Sequence, residues 1–207
     1  MKTKLLWKLN FCNQVILLSG LTPLLVLIYK AQGGLLSANP IEDFTHVTGW
    51  WALSLLCATL AVTPLRLLLK SPNLIYFRKT LGLLSFFYAS VHLLIWVAVD
   101  QYFAWNAIIT DILDRPFVTF GIAAWLLMLP LAVTSRLSVR ARVGNLVWKR
   151  IHRLIYIIAP LSLIHFILLV KKDMNEPLVF VGVVSLLLLF RVAFWLRHVL
   201  QIKSCDK

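Results

Sequence analysis

The chain has 207 residues, of which 60% are hydrophobic and only 14% charged, against roughly 45–50% and 25% in an average soluble domain. With a mean hydropathy of +0.85, this excludes a water-soluble globule, a disordered tail and a secreted disulfide scaffold. A net charge of +13 would suit a nucleic-acid partner on a soluble surface, but in so apolar a chain its origin is topology, and no nucleic acid is expected.

About 20 apolar residues cross a bilayer as a helix. Six stretches qualify, at about 9–29, 48–65, 80–99, 117–134, 151–170 and 178–195. The first follows a basic start, MKTKLLWK, and is softened by Asn10, Asn13 and Gln14. No small-residue cleavage site closes it, so it reads as a retained span. The second is predicted to end at Pro64-Leu65-Arg66. The third carries His92, and the fifth carries His152 and His165 with Pro160 between them. Backbone amides in lipid must be satisfied internally, so runs this long are helices. The expected fold is an all-α integral membrane protein, a six-helix transmembrane bundle forming one domain over 1–207.

Charge orients the bundle. Lys2, Lys4, Lys8, Arg66, Lys70, Arg78, Lys79, Arg136, Arg140, Arg142, Lys149, Arg150, Arg153, Arg191, Arg197, Lys203 and Lys207 fall on one side. The other side has Lys30, Arg115, Lys171 and Lys172 with Glu42, Asp43, Asp100, Asp111, Asp114, Asp173 and Glu176. The positive-inside rule then puts both termini in the cytoplasm, and membrane lipid is the partner of the basic side. Cys12, Cys57 and Cys205 make no CxxC or zinc spacing, and no dinucleotide, ATP or zinc-protease motif occurs.

Ionisable groups at membrane depth are costly and mark sites. The third and fifth spans run in the same direction. His92 lies 12 residues past Thr80 and His165 lies 14 past Ile151, so both sit in the outer half and face each other at one level. Two neutral imidazoles across a bundle form an axial pair for haem iron, placing haem between the third and fifth helices. Phe86, Phe87, Tyr88, Trp96, Tyr156 and Phe166 are candidate walls. His152 lies 13 residues before His165, or ~20 Å lower at about 1.5 Å per residue, with Arg78 level with it on the third span. The same spacing leaves His152 and His165 about 140° apart around an ideal helix, and Pro160 is the expected source of a phase change. His46, at the outer surface ahead of the second span, reads first as a capping or interfacial residue, with contact to a quinol or the partner as the alternative, and His198 reads as a solvated tail residue.

These residues resemble a known family. Histidines 13 or 14 apart on parallel helices are similar to the ferric reductase-like membrane domain. The nearer likeness is to the MsrQ (YedZ) family, carried by His46-Val-Thr-Gly49, Thr63-Pro-Leu-Arg66, Arg78-Lys-Thr-Leu-Gly82 with His92, Arg115-Pro116, and Trp148-Lys-Arg-Ile-His152-Arg-Leu-Ile-Tyr156 with His165. The resemblance implies a b-type cytochrome subunit of the bacterial inner membrane. It would pass electrons from the quinone pool, or from a cytoplasmic flavin reductase, to a periplasmic molybdoprotein, MsrP, that reduces methionine sulfoxide in envelope proteins. It also implies haem b and FMN as cofactors, and His92, His165 and His152 as haem-ligand candidates. Arg78 stands where related oxidases place a fourth histidine. It is an inside-anchoring cation in the plainest reading; in the functional one it pairs with a haem propionate in preference to ligating iron, because arginine keeps its proton, so one haem is supported and a second stays open. Arg136, Arg140, Arg142, Lys149 and Arg150 are candidates for the FMN phosphate. A diheme ferric or quinone reductase, a histidine-relay transporter without haem, and a haemless anchoring subunit are the competing readings.

Overall fold

The structure is a computed structural model. It describes the backbone of residues 2–170 and 173–205, and the side chains of residue 7, 9–170 and 173–197. The side chains of Lys2, Lys4, Lys8, Lys171, Lys172, His198, Lys203 and Lys207 lie outside the described residues.

Among the described residues all regular structure is helical. α1 covers Lys2–Gln32 and α2 Pro40–Leu68; a 3₁₀ turn, Pro72–Tyr76, leads into α3, Phe77–Ile95, which ends in a π turn at Trp96–Asp100. α4 (Trp105–Asp114), α5 (Pro116–Val133), α6 (Leu137–Val143), α7 (Asn145–His152), α8 (Ile155–Leu169) and α9 (Asn175–Cys205) follow. Six segments are long and apolar enough to cross a membrane: Leu9–Gln32, Pro40–Leu68, Pro72–Asp100, Pro116–Val133, Asn145–Leu169 and Asn175–Arg197. The chain is a multi-pass membrane protein built as a six-span helical bundle.

Five of the six spans run longer than the apolar runs alone, and in α2 a cap extends the helix. α2 starts at Pro40, whose fixed φ suits the first helical position. The Asn39 side chain accepts from the Glu42 amide, and Glu42 and Asp43 occupy the first turn, where the helix dipole favours acids. His46 therefore lies inside α2, where the sequence reading had it ahead of the span.

The other end of α2 passes through Pro64 instead of stopping there. A proline inside a helix leaves the carbonyl four residues earlier without its amide partner, here Leu60. Arg191 of α9 supplies the replacement: Nη2 donates to the Leu60 carbonyl at 2.5 Å and Nη1 to the Leu187 carbonyl at 3.0 Å. Arg191→Leu is expected to lower stability by about 1–3 kcal/mol, the cost of an orphaned buried carbonyl. In a Pro64→Ala background the new amide takes that carbonyl, and the penalty should shrink. Thermal unfolding of the four variants in detergent measures this, and equal penalties in both backgrounds would refute the pairing.

The fifth span is broken, though not at Pro160. α7 ends at His152 and α8 begins at Ile155. Between them the amides of Arg153 and Leu154 bond to the Arg150 and Ile151 carbonyls, an overwound i to i−3 pattern. Pro160 sits inside α8. The change of phase between His152 and His165 is thus made at Arg153–Leu154.

One core joins α2, α5, α8 and α9 through Leu56, Leu60, Met128, Ile158, Leu163 and Val184. A smaller one joins α1, α2 and α3 around Leu55, Leu84 and Tyr88. Tyr88 is fully buried and donates its hydroxyl to the Gly20 carbonyl of α1 at 2.7 Å. It therefore packs toward α1 and forms no wall for the histidines. Large side chains such as Leu186 (69% exposed) and Leu189 (65%) face outward, as lipid contact requires. α2 packs along α3, and α5 along α8, whereas α3 and α8 are not closely packed on each other.

Candidate functional site

The space between α3 and α8 is where two of the expected histidines meet. The rings of His92 and His165 have centroids 6.0 Å apart and planes 88° from parallel. Each is oriented by a backbone carbonyl from a neighbouring helix. His92 Nδ1 bonds to the Thr45 carbonyl of α2 at 3.0 Å, and His165 Nδ1 to the Phe117 carbonyl of α5 at 2.6 Å. A carbonyl only accepts, so both Nδ1 atoms carry the proton and, in neutral rings, both Nε2 atoms present a lone pair. This is the arrangement of metal-ligating histidines, whose second nitrogen donates to a carbonyl or carboxylate.

Two glycines make the sockets. A Cβ at Gly49 of α2 would lie 3.0 Å from His92 Cε1 and 3.1 Å from its Nδ1. One at Gly121 of α5 would lie 2.7 Å from His165 Nδ1 and 3.0 Å from its Cε1. Phe117 lies beside His165, ring centroids 6.3 Å apart, and other aromatics of α3, α5, α8 and α9 pair among themselves. Phe86 stacks on Trp125, whose indole N–H donates to Ser90 at 3.0 Å, and Phe166 meets Phe180 edge-on.

A metal fits this geometry. An imidazole nitrogen binds a metal at about 2 Å, so two rings in line on one ion have centroids about 6 Å apart. Among the described residues no three His, Cys, Asp or Glu side chains gather to hold a bare ion. Two imidazoles alone suit a metal that brings its own equatorial ligands, as a porphyrin iron does.

The Ferric reductase like transmembrane component family matches residues 48–163, which include His92 and His152 and end two residues before His165. Over 175 residues the chain is 43% identical to the protein-methionine-sulfoxide reductase heme-binding subunit MsrQ of Caulobacter vibrioides, covering 84% of this chain and 83% of that protein. The chain belongs to the MsrQ family. The MsrQ of Rhodospirillum rubrum is 45% identical over 172 residues, covering 83% of each chain. That of Xanthomonas euvesicatoria pv. vesicatoria is 47% identical over 163 residues, 78% of this chain and 74% of its own length.

The other two expected residues of this MsrQ chain, His152 and Arg78, lie together at the basic end. His152 is held by its own helix: Nδ1 bonds to the Trp148 carbonyl at 3.1 Å, and its ring lies 4.2 Å from the Trp148 ring. Arg140 covers the same indole at 4.3 Å and bonds to Asn145 Oδ1. Arg78 and Arg140 are both close enough to act electrostatically on His152. Arg191 faces Tyr156 at 5.8 Å. Among the described residues no carboxylate pairs with Arg78, Arg140 or Arg191.

Sequence reasoning missed the Thr45 and Phe117 carbonyls, Gly121 as a socket and Arg191 as an intramembrane donor. Carbonyls leave no mark in a sequence. The signals for the other two were present: a glycine in an apolar helix, and an arginine inside the sixth apolar run.

Proposed function

We propose that this chain is the haem-binding membrane subunit of a methionine sulfoxide reductase system, with haem b held between His92 and His165. The observation that carries this reading is the pair of rings at 6.0 Å, each with Nδ1 tied to a carbonyl of another helix. The chain's work there is to fix both tautomers, set the two rings 6.0 Å apart, and exclude water with the apolar walls of α3, α5 and α8. A bound haem supplies one-electron chemistry, cycling between ferric and ferrous iron.

At the basic end, Arg78 and His152 form the second level. A guanidinium keeps its proton and is a poor ligand, so for a second haem at this level Arg78 would hold a carboxylate of that macrocycle and His152 its iron or the same carboxylates. Arg136, Arg140 and Arg142 on α6, with Lys149 and Arg150 on α7, are the cluster assigned to an FMN phosphate. By the positive-inside rule this end faces the cytoplasm of a bacterial inner membrane. Electrons enter from the quinone pool or a cytoplasmic flavin reductase and leave to a periplasmic molybdoprotein, MsrP, which reduces methionine sulfoxide in envelope proteins.

The purified full chain should show a b-type reduced-minus-oxidised spectrum with about one haem per chain. Two per chain would assign His152 to iron and favour the diheme reductase reading. A correctly folded, colourless chain would overturn the proposal.

A further inference from the structure

The end of the bundle that carries the acids holds two adjoining clefts. One, of about 260 Å³, is lined by His46, Val47, Trp50, Trp51 and Glu176. The other, of about 240 Å³, is lined by His46, Phe166, Val170, Asp173, Glu176 and Pro177. The two share His46 of α2 and Glu176 of α9, which meet at 3.3 Å between Nε2 and Oε2. Half-exposed as they are, the two side chains contribute little as an ion pair, so holding α2 to α9 is a weak reason for them.

Their position is informative. His46 follows Thr45, whose carbonyl orients His92. Phe166 follows His165. Trp50 meets Phe180 edge-on at 5.9 Å, and Phe180 meets Phe166 at 6.0 Å. The clefts are thus lined by residues next in sequence to the two that orient or belong to the imidazole pair, and they lie at the same end of the bundle.

Their chemistry narrows the ligand. Glu176 only accepts, so His46 Nε2 carries the proton and, in the neutral ring, Nδ1 is left as an acceptor. The free Glu176 oxygen is a second acceptor. Asp173 adds a further acceptor to the second cleft, the remaining walls are aromatic and aliphatic, and an apolar cavity of about 150 Å³ already takes a benzene ring. An aromatic ring bearing hydroxyls, reaching the clefts from lipid, matches both features.

We propose that His46 and Glu176 bind the head group of a membrane-soluble hydroquinone and take up its hydroxyl protons. This rests on the haem reading for the fate of the electrons. Oxidation of the hydroquinone to the quinone releases two electrons and two protons. A haem held by His92 and His165 would accept these electrons one at a time. The protons pass to His46 and Glu176 and then to water at the cleft mouth.

The test uses the full chain in lipid nanodiscs with a short-tailed benzohydroquinone as the probe. Binding is measured calorimetrically on haem-free protein, and haem reduction by stopped flow on the loaded form. Glu176→Gln and His46→Gln should each weaken binding about tenfold and slow hydroquinone-driven reduction by at least that factor. The dithionite-reduced spectrum should not change. Unaltered binding and unaltered reduction in both variants would overturn the assignment. A wild type that binds the probe but takes up no haem would leave this site standing and defeat the haem reading instead.

Discussion

Replacing His165 by alanine is expected to abolish the six-coordinate haem spectrum of the chain, and His92→Ala should do the same. On the proposed reading each ring would provide one of the iron's two protein nitrogens, and among the described residues no third His, Cys, Asp or Glu side chain clusters with them to substitute. The imidazoles come from α3 and α8, helices that are not closely packed on each other. Removing one ring should therefore leave the surrounding cores of α2, α5, α8 and α9 in place. Helical content by circular dichroism should be preserved, and imidazole added to the buffer should restore part of the low-spin spectrum. Tyr88→Phe is the control. That hydroxyl serves the Gly20 carbonyl, so its loss should leave the haem signal untouched. An unaltered spectrum in either histidine variant would remove the residue from the site.

Gly121→Ala should be the most damaging change that leaves every ligand in place. The new methyl would stand 2.7 Å from His165 Nδ1, which is itself bonded to the Phe117 carbonyl at 2.6 Å. The ring cannot keep that bond and clear the methyl. Disturbing the groups that orient a ligating histidine typically costs about 10–100-fold in metal affinity, and a haem titration should show a loss of that size. Gly49→Ala, where the approach to His92 is 3.0 Å, should lose less. Gly182→Ala, with open space around its Cβ position, should lose nothing. The opposite ranking would mean that these glycines serve helix packing and not the rings.

The spans and the depth of His92 and His165 were legible in the sequence because both depend on local quantities, apolar length and rise per residue. Their facing was legible for the same reason, since parallel helices carry residues at matched distances from one edge. The break in the fifth span was misplaced because a proline announces strain without fixing where the chain yields. Here the turns at Arg153 and Leu154 tightened while Pro160 stayed helical. The continuation of α2 past Pro64 depends on Arg191, far along the chain, and no reading of residues near 64 reveals that partner. Tyr88 was misassigned as a wall because neighbouring positions on a helix face different partners, and only tertiary packing selects α1 for it.

The perpendicular rings offer the most direct test of the central claim. Electron paramagnetic resonance of the oxidised, full-length protein reads both the ligand set and the angle between ligand planes. With His92 and His165 on one iron and their planes 88° apart, the expected spectrum is a strongly anisotropic low-spin ferric signal that disappears in His92→Ala and His165→Ala. A high-spin signal in the wild type, or a low-spin signal that survives both substitutions, would contradict an iron held between these two helices.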